Sequence, residues 1–145
     1  MTDETIGGLT ANGQRPRVAI VGGSPAGATV ATILVEQFGC DPLRAATGEA
    51  VLALLRRDQR IDLVVLDLSV PDMEGIVAVQ LIRALGARGA LPVIALTNDR
   101  VEIAAPRARA AGFAGAVVKP YSPRELFAAM ETALSRTPAR ATVHH

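Results

Sequence analysis

Tryptophan is absent from this 145-residue chain, and aromatic residues make up only 3% of it. A core must therefore be built from Ala, Val, Leu and Ile, and a chain that is 50% apolar has enough of them. A single cysteine, Cys40, excludes an intrachain disulfide and a Cys-based metal cluster, and fits the reducing cytosol. Both histidines, His144 and His145, are the last two residues, where a tag remnant and a native end read alike, so they are assigned no chemistry. Charge of one sign is also missing. The net charge is +1 and the arginines are scattered, which gives no electrostatic case for nucleic acid.

Charge of any sign is missing from Val18 to Val35, directly after Arg15 and Arg17. That is close to the length and flank of a membrane span. Gly22-Gly23-Ser24-Pro25 interrupts it, however, so the stretch reads as strand, loop and helix, and no membrane segment is expected.

The length fits one domain. Residues 1–14 are polar, carry three glycines and lack periodicity, so they are expected to form a disordered arm. A folded domain is expected over 15–137 and a tail over 138–145. The first strand is Arg17–Val21. Ser24 caps a helix with Pro25 at its first position, running to about Phe38, with Val30, Ala31, Leu34 and Phe38 on one face. Ala28, Thr29, Thr32 and Ile33 then point outward without charge, a face suited to a partner or to self-association as a homodimer. A short strand, Leu43–Ala46, precedes a helix over Gly48–Arg57, capped by Thr47, with Val51, Leu52 and Leu55 inward.

The third strand, Ile61–Asp67, leads into Leu-Ser-Val-Pro-Asp-Met-Glu-Gly75. Its core, Leu63 to Leu66, is apolar without alternation, as in a strand buried on both faces. A helix is expected from Gly75 to about Leu85, with Ile76, Val79 and Ile82 or Arg83 at helical spacing, and then a strand over Pro92–Thr97. Residues 98–111 are helical in composition but contain Pro106, so that helix should start late, near Ile103, or kink. Ala116–Lys119 is the fifth strand. Ser122-Pro123-Arg124-Glu125 spells a capping box opening a last helix with Leu126, Phe127, Met130 and Leu134. Strand and helix alternate five times with short connections, which predicts an α/β fold with a doubly wound parallel sheet.

Ligands and chemistry gather at the carboxyl ends of such strands. There the sequence places Gly22 and Gly23, Asp67, Thr97 and Lys119. Taken singly, Asp67 also suits a turn, Thr97 a helix cap, and Lys119 a solvated strand end. Together they suit a phosphoryl group, with Asp67 as nucleophile and Thr97 and Lys119 donating to its oxygens. Without phosphate, Lys119 should pair with Asp67.

Asp67 with Ser69, Pro71 and Gly75, the stretch Pro92-Val-Ile-Ala-Leu-Thr97, and Lys119-Pro120 together resemble the receiver domain of bacterial two-component response regulators. The resemblance covers nearly the whole chain. It implies a flavodoxin-like (βα)5 sheet of order 2-1-3-4-5 and a cis Lys119–Pro120 peptide. It also implies a signalling module rather than an enzyme, with a sensor histidine kinase, phosphotransfer protein or other signalling protein as partner and a cytoplasmic location. The family holds Mg²⁺ with an acidic pair after the first strand, the phosphoacceptor and a nearby backbone carbonyl. Here the pair is Gly22 and Gly23, leaving Asp67 and the Ser69 carbonyl as a poor set for a hard cation. Mg²⁺ binding is therefore expected to be weak or absent, and restored by Asp at both glycine positions. Ala116 replaces the aromatic expected three residues before the lysine, and Asn98 adds bulk beside the site.

Two functional expectations follow. One is an atypical single-domain receiver acting through protein–protein interaction, with weak or absent Mg²⁺-dependent phosphorylation at Asp67. The other is a working phosphoacceptor in a phosphorelay. A third reading rests on Val18-Ala-Ile-Val-Gly-Gly-Ser-Pro-Ala-Gly27, which nearly spells a dinucleotide-binding loop. Ser24 stands where the second glycine belongs, and no acidic residue closes the second strand, so only a simple anion at the Gly22–Gly27 loop survives from it.

Overall fold

The computed structural model describes residues 8–135; the first half of the expected arm (residues 1–7) and the expected tail over 138–145 lie outside them. Five strands, β1 (Arg17–Val21), β2 (Asp41–Ala45), β3 (Leu63–Asp67), β4 (Val93–Thr97) and β5 (Gly115–Val118), form one parallel sheet of order 2-1-3-4-5. Six α-helices connect and flank them: α1 (Pro25–Gln37), α2 (Gly48–Arg57), α3 (Gly75–Arg83), α4 (Arg100–Ala104), α5 (Pro106–Ala111) and α6 (Pro123–Ser135). A 3-10 turn, Gly86–Ala90, leads into β4.

Strand period two divides the core. Val18, Ile20, Leu63, Val65, Ile94 and Leu96 face α1 and α6; Ala19, Val21, Val64, Leu66, Val93 and Ala95 face α2, α3 and α5. Every residue of β3 and β4 is buried, which is why these strands lack alternation. With so few aromatics, the edge-to-face pair of Phe38 and Phe127, centroids 5.1 Å apart, is the notable ring contact and joins the end of α1 to α6. β2 begins two residues before its expected start. Pro42 is tolerated within it because β2 is an edge strand and needs no amide on its outer side.

Two expectations change and a third is narrowed. Val30 is 51% exposed, whereas Ala28, Ala31, Leu34, Val35 and Phe38 are buried, so α1 is rotated from the setting read in the sequence. Its apolar and hydroxyl residues run around most of the helix, and such a pattern does not fix a phase. The exposed face is therefore Ala26, Thr29, Val30 and Ile33, with Glu36 and Gln37 at its carboxyl end. Residues 8–14 are not a free arm. Leu9 is buried in the core beneath α1, its N–H donates to the Phe38 carbonyl at 2.9 Å, and Ala11 and Gln14 close a turn. Finally, of the two alternatives for the segment before β5, a late start near Ile103 or a kink, the structure shows a break: the helix starts at Arg100, where Asp99 caps the Val101 amide at 2.8 Å. It then breaks at Ala105, extended at φ −64° and ψ 151°, as a residue before proline prefers, and Pro106 opens α5. The capping box forms as read: Glu125 accepts from the Ser122 amide at 2.7 Å and Ser122 from the Glu125 amide at 3.2 Å.

Candidate functional site

Asp67 ends β3 and is 7% exposed. Its Oδ2 accepts from Lys119 Nζ at 2.7 Å, and its Oδ1 accepts from the Ser69 amide at 2.9 Å and the Ser69 hydroxyl at 2.6 Å. Burial pushes the Asp67 carboxyl up, but the Lys119 ammonium and the two Ser69 donors outweigh it and hold the carboxyl below the usual range. Lys119 reaches the site because β5 is the partner of β4, and the Lys119–Pro120 peptide that follows is cis. Half-buried Tyr121 has a hydroxyl pushed above its ordinary value by burial and by the Asp67 charge.

Gly22 and Gly23, at the end of β1, take φ of +73° and +83°. A Cβ on Gly23 would lie 2.8 Å from Asp67 Oδ2, and one on Gly22 would lie 2.6 Å from Val70 Cγ1. The loop after β1 therefore closes over the carboxylate with backbone alone. Among the described residues, no three His, Cys, Asp or Glu side chains come together as a group able to hold a metal ion. Asp67 is a single carboxylate with both oxygens committed to internal donors, and that set does not fit Mg²⁺, which prefers several oxygen ligands in near-octahedral array.

Thr97, 2% exposed, follows Leu96, the β4 partner of Asp67. Its hydroxyl accepts from the Asp99 amide at 3.0 Å and lies 3.0 Å from Glu102 Oε1. This arrangement fixes the turn that leads into α4, and among the described residues it includes no bond to Asp67.

Sequence reading missed three contributors. The Ser69 side chain was one, although an Asp-x-Ser turn is a recognisable signal. Asp72 was another: its carboxylate accepts from the Gly48 and Glu49 amides at 2.8 and 3.0 Å, and those two bonds hold it below the usual range, tying the β3–α3 loop to the start of α2. Next to it Met73 packs so tightly on Gly48 that a Cβ there would lie 2.6 Å from its sulfur. The third was Glu102, which carries no signal in its local sequence. In the Gly22–Gly27 loop, the Ser24 hydroxyl already accepts the Gly27 amide at 3.0 Å, a donor that a bound pyrophosphate would need.

A doubly wound parallel sheet with a buried Asp and a Lys paired at its carboxyl edge defines a receiver-type signalling fold. The chain matches the family model described as response regulator receiver domain over residues 18–131, and it belongs to that family. It is 32% identical over 122 residues to the DNA-binding response regulator MtrA of Mycolicibacterium smegmatis, covering 84% of this chain and 52% of that protein. The chain thus spans about half the length of the curated relatives it matches. Among solved structures, the chemotaxis response regulator CheY4 of Vibrio cholerae superposes with a TM-score of 0.76 at 23% identity, covering 83% of this chain and 99% of that one. The receiver domain of a sensor histidine kinase from Pseudomonas aeruginosa PAO1, solved with a magnesium ion in its active site cleft, gives the same TM-score and identity and covers 83% and 98%. Among the described residues, no helix is long and apolar enough to cross a membrane.

Proposed function

We propose that this chain is an atypical receiver module of two-component signalling that works by binding a protein partner, with Mg²⁺-dependent phosphorylation of Asp67 weak or absent. The observation that supports this reading is the loop after β1. Where the family carries its acidic pair, Gly22 and Gly23 offer no carboxylate and take a backbone setting that leaves no room for one. Phosphoryl transfer to a carboxylate depends on neutralising charge at the phosphoryl group, and among the described residues Lys119 is the side-chain cation bonded to Asp67. Sensor histidine kinases and phosphotransfer proteins are the partner class we assign, in the cytoplasm. The docking surface we assign is α1, whose exposed Thr29, Val30 and Ile33 carry no charge and are bordered by Glu36 near its end.

The second reading is a working phosphoacceptor in a phosphorelay. It is favoured by the intact Asp67–Lys119 pair, 2.7 Å apart. Incubation with acetyl phosphate, with and without Mg²⁺, followed by intact mass measurement separates the two. The atypical module shows little or no phosphoryl adduct. Rapid, Mg²⁺-dependent modification that vanishes in Asp67→Asn establishes the phosphoacceptor instead.

A further inference from the structure

Thr97 has one hydroxyl hydrogen, and its surroundings show where that hydrogen is spent. Oγ1 lies 3.0 Å from Glu102 Oε1 and 3.3 Å from the Asp99 carbonyl oxygen, while the Asp99 amide donates to it at 3.0 Å. Among the described residues, every hydrogen-bond partner of this side chain lies between 99 and 102. Asp67 is on the adjacent strand, paired with Leu96 in register, yet its oxygens are filled by Ser69 and Lys119. A hydroxyl and a carboxylate that stand at one sheet edge are each committed elsewhere.

The element that holds Thr97 is slight. α4 is five residues long, buries none of them, and leaves Val101 76% exposed. Asp99 caps the Val101 amide, and at Ala105 the chain is already extended. Among the described residues, the Glu102–Thr97 bond is the side-chain hydrogen bond by which α4 itself reaches the sheet. A short turn without buried side chains belongs to the low-stability end of a fold.

We infer that Glu102 is a positioning residue that holds the Thr97 hydroxyl off Asp67 and competes with a phosphoryl group for that one hydrogen. The inference rests on the second reading above, in which Asp67 accepts a phosphoryl group, however slowly. In that step an Asp67 oxygen attacks the phosphorus of an acyl phosphate. A new P–O bond forms, the P–O bond to the acyl group breaks, and acetate leaves with the electron pair. The product carries two negative charges on its terminal oxygens, one of which takes the Thr97 donor only if Glu102 gives it up. Release of Glu102 also removes the side-chain bond between α4 and β4, leaving Ile103 as the packing contact of α4 with the core, so a modification at Asp67 loosens a surface turn without any aromatic switch at Ala116.

The test compares the parent, Glu102→Ala and Glu102→Gln, each exposed to acetyl phosphate and excess Mg²⁺ and followed by intact mass. A hydrogen bond to a charged acceptor corresponds to about tenfold in rate at a partly exposed site, so Glu102→Ala is expected to be about tenfold faster than the parent. Glu102→Gln, which keeps an acceptor oxygen, falls between them. Equal rates in all three proteins overturn the inference. Three-bond couplings to the Thr97 methyl in the unmodified proteins give a readout independent of phosphorylation. A single side-chain rotamer is expected in the parent and Glu102→Gln, and averaging in Glu102→Ala. If none of the three proteins takes up phosphate, the acceptor reading of Asp67 fails and the couplings alone decide. Averaging in the parent, or no change in Glu102→Ala, then removes the latch, whereas averaging confined to Glu102→Ala retains it.

Discussion

Gly23 and Asp67 fit together only because Gly23 has no side chain: a single added carbon would stand 2.8 Å from the Asp67 carboxylate oxygen. The absence of a side chain at Gly23 is thus part of how the site is closed.

This reverses the expectation that Asp at both glycine positions rebuilds a metal site. Gly22→Asp/Gly23→Asp forces two ordinary residues to φ near +73° and +83° and drives one of them against Asp67. The double variant is expected to lose about 2–4 kcal/mol of stability, from two left-handed positions and the added crowding. Urea denaturation measures the loss. A double variant as stable as the parent that also saturates with sub-millimolar Mg²⁺ contradicts the loop geometry.

For the parent, Mg²⁺ titration followed by amide shifts around Asp67 is expected to show affinity no better than millimolar. Saturation at sub-millimolar metal would show that Asp67 and the Ser69 carbonyl suffice as protein ligands.

Lys119→Met leaves Asp67 buried with only the Ser69 donors. The expected cost is about 2 kcal/mol near neutral pH, from the lost charged hydrogen bond and an uncompensated carboxylate. The pH dependence has a definite sign. The folded carboxyl of Asp67 titrates below its ordinary value, so the unfolded chain binds the proton first as pH falls. The stability Asp67 contributes is complete above about pH 4, near the ordinary carboxylate value, and is lost as pH drops through the folded value. Denaturation midpoints between neutral and strongly acid pH should fall less steeply in Asp67→Asn than in the parent. Parallel curves would argue against the pairing.

Arg83 closes the far end of α3 through backbone carbonyls. Its guanidinium donates to the carbonyls of Gly89, Leu91, Ala111 and Gly112 at 2.9, 2.6, 3.3 and 2.7 Å. Burial pushes its pKa down, and the planar fork reaches both the 3-10 turn and the end of α5. Arg83→Lys keeps the charge but cannot span those acceptors, and about 2 kcal/mol of destabilisation is expected by thermal or urea unfolding. Unchanged stability in Arg83→Lys would show that the carbonyls are satisfied without the fork.

The strands and their order were legible because Leu63–Leu66 and Val93–Leu96 are apolar runs too short for helices and bounded by turn residues. The pairing of Lys119 with Asp67 was legible for a different reason: both fall at strand ends, and topology brings strand ends together. What escaped reading depended on rotation or on reach. Val30 and Ala28 exchange places because nothing in an apolar helix marks its inner face. Asp72 caps α2 from another loop, and Glu102 finds Thr97 across a turn. The glycine pair was read as a loss of ligands, whereas its positive φ angles also define a shape, and composition does not reveal a dihedral angle.

Lys119 is the only lysine among fifteen basic residues of the chain. Its side chain is 27% accessible while its amine sits on Asp67. Chemically, these 145 residues therefore carry a single lysine amine, and that amine is at the candidate site. An amine-selective acylating reagent becomes a footprint of the site. Its rate at Lys119 rises when Asp67 lets go of the ammonium and falls when an added anion takes it, so a single peptide mass follows the state of the pocket.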